Sequence, residues 1–242
     1  MKFPSINFLV SIFLIAGIIS CGTTSEKKED HTHHQHEEGT GHSHGDDHEH
    51  HHGHSHKSEG MTLSDGSYKV DTEKSFIKWT GKKITGSSHY GKLKLASGTV
   101  AVSENQISVS SEFNIDMTTI SVDDIPADDK LNQKLKGHLE NNDFFNVTEF
   151  PAASFKINKI AKGEKEGMID VTGDLTIKGI TNSVSFPAHI MNHDGTIHAM
   201  ADISFDRTKY DIKYKSSSFF SDLGDKAIND KIELELHLYA QK

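Results

Sequence analysis

Twelve of the eighteen histidines fall between residues 31 and 56, where glycine, serine and acidic residues separate them. Imidazole has an unperturbed pKa of about 6.5, so it is mostly neutral at pH 7 and is a good ligand for zinc, copper or nickel. The segment therefore predicts weak binding of divalent metals. No fixed geometry is predicted, because the pattern singles out no ordered set of ligands. The histidines are His31, His33, His34, His36, His42, His44, His48, His50, His51, His52, His54 and His56.

The same stretch offers almost no large apolar side chains to bury. Residues 21–65 are therefore predicted to form a disordered tether in front of a folded domain. Two interpretations of its histidines stay open. They form a polar spacer or a low-affinity metal buffer, which we favour, or they deliver zinc or copper to a partner.

Cys21 is the single cysteine, and it follows an apolar run from Phe8 to Ile19. A run of about 12 residues is too short to span a bilayer but suits the core of a signal peptide. The small residue before the cysteine looks like the cleavage box of bacterial lipoproteins, although Ile18 stands where such boxes usually have Leu.

We predict a signal peptide over 1–20, lipid attachment at Cys21, and a location in a bacterial cell envelope. The protein would be anchored to a membrane and face the periplasm or the cell surface. The alternatives are a transmembrane anchor with a free thiol and a buried structural cysteine.

The charge balance excludes one class of partner. The chain has a formal net charge of −9, and residues 57–242 contain 23 basic and 27 acidic side chains. A protein that binds phosphate backbones needs the opposite balance. No nucleic-acid partner is expected.

The sequence contains no motif of a known catalytic centre. It has no G-x-S-x-G, no H-E-x-x-H, no paired cysteines and no phosphate loop, so we predict that the protein is not an enzyme. The run Ser216–Ser218 has no recognisable base beside it and is predicted to be a surface turn. His189 and His193 are four residues apart, but strand and turn sequence need not place them on one face, so no fixed metal site is predicted there.

Two polar side chains are candidates for the mouth of a ligand pocket. Arg207 is the single arginine, and its planar donor fork suits the carbonyl or phosphate oxygens of a ligand head group. A structural salt bridge or strand-end hydrogen bond accounts for Arg207 equally simply, and we favour that interpretation. His89 is either a mouth residue or a loop brace, and the sequence does not decide between them.

From residue 66 onward the dominant signal is period-two alternation, which is typical of strands with one buried face. The alternation is clear over six runs, and turn residues such as His193-Asp194-Gly195 separate them. The runs begin near residues 77, 113, 169, 184, 197 and 232.

One segment has a helical period instead. Between Asp124 and Asn141 the sequence places Leu131, Leu135 and Leu139 four residues apart, and Asp123 or Asp124 could cap this helix. Many antiparallel strands and one inserted amphipathic helix predict a mostly β fold, an antiparallel lipocalin-like barrel of about eight strands. Periodicity alone leaves a sandwich open.

Large apolar side chains on the inward face are candidates for the wall of a ligand pocket. Core packing predicts the same residue types, so alternation cannot separate lining from filling. The candidates are Trp79, Phe113, Ile115, Phe155, Phe186, Phe205 and Tyr214.

Several stretches in sequence order resemble the YceI-like family of lipocalin-like barrels. The resemblance covers residues 66–242 and implies a barrel whose elongated apolar interior takes up a polyisoprenoid or related lipid, with no catalytic apparatus. The stretches are WTGKK at 79–83, ITGSSHYGKLKLASG at 84–98, FNIDM at 113–117, KLKGHL at 134–139, DFF at 143–145, FPAASF at 150–155, GDLTIKGIT at 173–181, DRTKY at 206–210 and FFSDLGD at 219–225.

Together these features predict an exported lipoprotein that stores, shields or transports an apolar lipid and needs no cofactor. The membrane would be reached through the N-terminal lipid anchor. The alternative is a metal-handling protein in which the histidine tract is the working part and the barrel is a scaffold. The sequence leaves open whether the barrel forms a homodimer.

Overall fold

The computed structural model describes residues 62–242, and the strands follow the alternation of the sequence. The signal peptide, Cys21 and the histidine tract lie outside this range. The strands are β1 Gly66–Val70, β2 Phe76–Lys82, β3 Ser88–Ser103, β4 Gln106–Ile107, β5 Glu112–Asp116, β6 Ala152–Lys162, β7 Met168–Ile177, β8 Ile180–His193, β9 Thr196–Asp206 and β10 Lys231–Gln241, and the helix is α1 Lys130–Glu140.

Eight of the strands close into an antiparallel barrel. Their order around the barrel is β10-β2-β3-β5-β6-β7-β8-β9, and β9 pairs with β10 from Asp206–Lys231 to Ile197–Ala240. This last ladder removes both free edges of the sheet, which excludes the sandwich. The short strands β1 and β4 add to β3, and β1 also pairs with β10. The prediction of an antiparallel barrel of about eight strands with one helix is confirmed.

The period-two pattern did not predict strands β3 and β6, because a bulge interrupts the alternation in each of them. On β3 the register against β5 shifts between Leu95 and Ser97. On β6 the register against β7 shifts between Ile157 and Lys159. An extra residue at a bulge moves the following side chains to the other face, so a period-two pattern is lost even though the strand continues.

The helix was predicted too early in the chain. It begins at Lys130, and its cap is Asp129, whose side chain accepts a hydrogen bond from the Leu131 amide at 2.8 Å. Asp124 is not available as a cap because its carboxylate is bound to β3. The buried Asn132 side chain donates to the carbonyls of Val122 (2.8 Å) and Ile125 (2.7 Å), which holds the preceding segment as a loop.

The predicted apolar stripe of the helix is only partly used. Leu139 is buried and Leu135 is half-buried against the barrel, but Leu131 is 62% exposed. The helix therefore covers one end of the barrel with its second and third turns only. Within residues 62–242 we find no helix whose length and apolar character would let it cross a membrane.

Candidate functional site

The barrel interior contains a cavity of about 150 Å³ beneath α1, here called the helix-side cavity. Strand residues and the loops that close this end of the barrel share its lining. Lys82, Lys83, Ser87 and His89 mark the rim at the β2–β3 hairpin. The loop and helix side chains in its lining include Met117, Ile120, Leu135, Leu139, Phe144, Phe145, Ile212 and Ile228.

A second cavity of about 110 Å³, here called the distal cavity, lies farther along the barrel. Every residue that lines it is apolar and belongs to a strand. Its wall includes small side chains, Ala188 and Ala199, beside larger ones such as Phe113 and Phe186. Small residues on the inward face leave the space that a uniformly large set would fill.

The two cavities meet at a waist formed by Ile77, Ile115, Leu175 and Leu234, since these four side chains line both. The interior is therefore an apolar column divided in two. A molecule that occupies both cavities must therefore pass these four side chains.

The predicted wall residues divide between the two cavities. Trp79 and Phe205 line the helix-side cavity, Phe113, Phe155 and Phe186 line the distal cavity, and Ile115 lies at the waist. Tyr214 lines neither. It is half-buried in the loop that follows β9, where its ring lies 5.4 Å from the Phe144 ring and 5.6 Å from the His138 ring.

The wall at Trp79 depends on a close approach between two backbone segments. Trp79 pairs with Gly91 across β2 and β3, and the Trp79 indole nitrogen donates to the Ser121 carbonyl at 3.1 Å. A Cβ atom on Gly91 would lie only 1.9 Å from that carbonyl oxygen. Glycine at 91 therefore lets residues 117–122 cross tightly over β3, and this crossing places Met117 and Ile120 in the cavity wall.

Arg207 is 1% exposed, and all five of its N–H donors are used within the protein. Four donate to carbonyls, at Ile212 (2.8 Å), Tyr214 (3.0 Å), Ile228 (3.1 Å) and Asn229 (3.1 Å). The fifth pairs with the Asp230 carboxylate at 3.2 Å. Arg207 borders the helix-side cavity but has no donor left for a head group, so its role is to fix the loops that close this end.

His89 is both a rim residue and a brace. Its side chain is 43% exposed, and its Nδ1 lies 2.7 Å from the Asp124 carboxylate, which also accepts from the Tyr90 amide at 3.0 Å. Partial burial of Asp124 acts to raise the pKa of its carboxyl, but the Tyr90 amide and the His89 imidazole outweigh this and lower it. The pair therefore ties the loop before α1 to the rim of the helix-side cavity.

The prediction that Ser216–Ser218 form a surface turn is wrong for Ser216. Its side chain is fully buried, whereas Ser217 and Ser218 are exposed. Its hydroxyl oxygen accepts from the Ser218 amide at 3.2 Å, and its carbonyl accepts from Phe219 and Phe220. Ser216 is thus a structural residue of the loop that Arg207 holds.

Several wall residues could not have been found by alternation. Met117, Ile120, Phe144 and Phe145 lie outside the strands and the helix proper, and they reach the cavity only because the loops fold over the barrel end. Their apolar character was the available signal, but nothing in the sequence spacing indicates which loop side chains point inward.

Comparison with known proteins gives concordant results. The model of the YceI-like domain matches residues 68–240. Protein YceI of Salmonella newport is 31% identical over 160 residues, which are 65% of this chain and 78% of the relative. Among solved structures, BcnA of Burkholderia cenocepacia superposes with a TM-score of 0.57 at 21% identity, over 71% of this chain and 99% of the other. A polyisoprenoid binding domain from Saccharophagus degradans superposes with a TM-score of 0.54 at 14% identity, over 72% and 97%.

Proposed function

The chain belongs to the YceI-like domain family, and from that premise we propose that its barrel binds an elongated apolar molecule, a polyisoprenoid or a related lipid. The support lies in the interior, where two apolar cavities follow one another through a closed barrel. The structurally similar domain from Saccharophagus degradans is described as polyisoprenoid binding, and this chain would use the same kind of ligand.

The size of the cavities indicates how such a ligand fits. An engineered apolar cavity of about 150 Å³ in another protein stays dry and holds a benzene molecule. The helix-side cavity has that volume, so a short branched hydrocarbon fits without rearrangement. A long chain requires the waist to open, and each Å² of apolar surface that the chain removes from water stabilises the complex by about 25 cal/mol.

The polar end of the interior sets the orientation of the ligand. Lys82, Lys83 and His89 stand at the rim of the helix-side cavity, whereas the lining of the distal cavity has no polar side chain. A lipid with a polar head would place the head at the rim and its tail toward the distal cavity. Because hydrocarbon burial supplies the energy, no charged anchor inside the barrel is required.

The single tryptophan gives a direct test of this proposal. Trp79 lines the helix-side cavity, so a hydrocarbon entering the barrel of the mature chain should change its fluorescence. Titration with a polyprenol in detergent should give a saturable change, and native mass spectrometry should show the lipid bound to the protein. A protein that remains folded by circular dichroism but takes up no polyprenol would overturn the proposal.

Two substitutions on β9 sharpen the test. Ala199→Phe adds a ring to the wall of the distal cavity and should weaken binding of a long polyprenol. Asp202→Phe places the same ring on the exposed outer face and should leave binding unchanged. Equal effects of the two variants would show that the lipid binds outside the barrel.

We further propose that the protein is exported and anchored through lipid on Cys21, with residues 22–65 as the tether. In a bacterial envelope such a protein would store, shield or carry its lipid beside the membrane. The Cys21→Ser variant should move from the membrane fraction to the soluble envelope fraction. Retention of this variant in membranes, with its leader removed, would contradict anchoring through Cys21. The histidine tract would add weak metal binding that the barrel does not require.

A further inference from the structure

The outer face of strands β8, β9 and β10 carries an unusual set of side chains. On these strands the residues that line the distal cavity include Ala188, Ile190, Ile197, Ala199, Leu236 and Leu238. The alternating residues between them therefore point outward. They include five imidazole and thioether side chains, here called the histidine–methionine patch: His189, Met191, His198, Met200 and His237.

The register of the sheet brings these side chains together. Met200 of β9 pairs with His189 on one side and with His237 on the other. His198, two residues away on the same face, pairs with Met191. Directly paired residues have Cβ atoms about 4.5–5.5 Å apart, and diagonal neighbours lie about 7–8 Å apart. The His198 and His237 ring centroids are 6.0 Å apart.

His198 belongs to the patch and has an unused nitrogen. Its Nε2 is buried and has no hydrogen-bond partner, while its ring stacks on Tyr239 with centroids 4.2 Å apart. An unpaired buried nitrogen costs the folded protein free energy that a bound ligand would recover. Burial lowers the pKa of His198, and the neighbouring His237, His193 and His189 lower it further.

The His237 ring is fixed at one of its two nitrogens. Its Nε2 lies 3.0 Å from the Glu235 carboxylate, which leaves Nδ1 as the other ring nitrogen. A carboxylate on the far nitrogen is the usual support of a metal-bound histidine, because it fixes the ring and makes the ligating nitrogen more basic.

The kinds of donor select the metal. Within residues 62–242 no three histidine, cysteine or acidic side chains are close enough to hold an ion, so the tetrahedral sites that zinc prefers are not formed here. Two imidazoles with thioethers form a softer set, and thioether sulfur favours Cu(I). We propose that the histidine–methionine patch binds Cu(I) through His198, His237 and Met200, with Met191 beside them. This site is independent of lipid binding in the barrel.

Methionine methyl groups allow the site to be tested in the full mature chain. The tract between residues 31 and 56 contains no methionine, so Cu(I) bound there leaves the methionine signals unchanged. With ¹³C-methyl-labelled methionine, anaerobic addition of Cu(I) beyond saturation of the tract should shift the Met191 and Met200 signals. Met117, which lines the helix-side cavity, should not move and serves as the internal control. Unshifted Met191 and Met200 signals would overturn the proposal.

A competition assay gives the affinity and the ligands. In a full chain whose twelve tract histidines are replaced by serine, a chromophoric Cu(I) chelator should reveal one bound Cu(I) per protein. His198→Phe and Met200→Leu should each weaken this binding by at least about 10-fold. Met117→Leu removes a thioether outside the patch and should leave the affinity unchanged. Equal affinity in Met200→Leu and the parent, or preference for Zn(II) over Cu(I), would contradict a thioether site.

Discussion

The two cavities of the barrel are built from different parts of the chain. Strand residues alone form the distal cavity, whereas loops and α1 complete the helix-side cavity. The hydrogen-bonded ladders around a closed barrel are the most stable part of such a fold, and loops open at a lower free-energy cost. If the barrel binds a lipid as proposed, this difference predicts that the lipid enters at the helix side.

The same difference appears in how each end is held. At the helix side, the buried Arg207 joins residues 207–214 to residues 228–230, and the His89–Asp124 pair ties the loop before α1 to β3. At the distal side, no polar side chain lines the cavity, and the wall consists of apolar side chains on the strands. Under the proposed function, the end beside these polar contacts would open to the ligand, and the end whose lining is wholly apolar would receive the tail.

The largest expected effect comes from removing the polar support at the helix side. Arg207→Met leaves four carbonyls and Asp230 without their partner, and we expect it to lower the free energy of unfolding by about 3–5 kcal/mol. Urea denaturation measures this loss. The exposed Lys209→Met, two residues away, should change stability by less than about 0.5 kcal/mol. Unchanged stability of Arg207→Met combined with weaker lipid binding would restore the head-group interpretation of Arg207.

The next largest effect is expected at the waist between the two cavities. Ile115→Ala should join the two cavities and destabilise the protein by about 2–5 kcal/mol, as buried Ile to Ala changes do. Affinity should rise more for long polyprenols than for short ones, as measured by Trp79 fluorescence. Ile157→Ala enlarges the distal cavity alone and should cost similar stability without this dependence on chain length. The same length dependence in both variants would show that the waist does not limit access.

Filling each cavity separately should reveal the path of the ligand. Ala188→Leu narrows the distal cavity and should weaken binding of a long polyprenol but spare a short one. Ala153→Leu narrows the helix-side cavity and should weaken both. Displacing two methylene groups, at about 0.8 kcal/mol each, lowers affinity by about 10-fold. If Ala188→Leu weakens the short ligand as well, the ligand does not enter at the helix side.

The same division explains how much the sequence could predict. Alternation predicted which residues of β7, β8, β9 and β10 face inward, because a strand with one buried face repeats every two residues. Of these residues, only Phe186 was named as a candidate for the distal wall. The bulges in β3 and β6 hid those strands, since they shift the alternation within the strand. Closure into a barrel was predicted from the number of strands and from the family resemblance, and no local pattern could specify the β9–β10 ladder.

The helix-side wall was predicted less well because it depends on contacts far apart in the sequence. The start of α1 was misplaced because the carboxylate of Asp124 binds β3, thirty or more residues earlier in the chain. Sequence spacing likewise gave no sign that His198, Met200 and His237 meet on the outer face, because that arrangement requires the register of three strands. The lipidation of Cys21 and the metal chemistry of the tract remain predictions.

The smallest expected effect compares two buried tyrosines, one in the core cluster of each cavity. Tyr210 is 1% exposed, its hydroxyl has no hydrogen-bond partner, and burial raises its pKa to about 12. Tyr68 is 2% exposed, but its hydroxyl donates to the Ser64 carbonyl at 2.8 Å. Tyr210→Phe should therefore leave the free energy of unfolding unchanged or raise it by up to about 1 kcal/mol, whereas Tyr68→Phe should lower it by about 0.5–1.5 kcal/mol.

Thermal and urea denaturation of the two tyrosine variants measure the difference directly. A loss of stability in Tyr210→Phe equal to that in Tyr68→Phe would show that the Tyr210 hydroxyl has a partner in solution, such as a buried water. The helix-side end would then contain a polar group that the side-chain contacts do not reveal, and a ligand entering there would have to displace or satisfy it. A neutral or stabilising effect instead shows that the Tyr210 hydroxyl does not help to hold this end, unlike the hydrogen bonds of Arg207 and the His89–Asp124 pair.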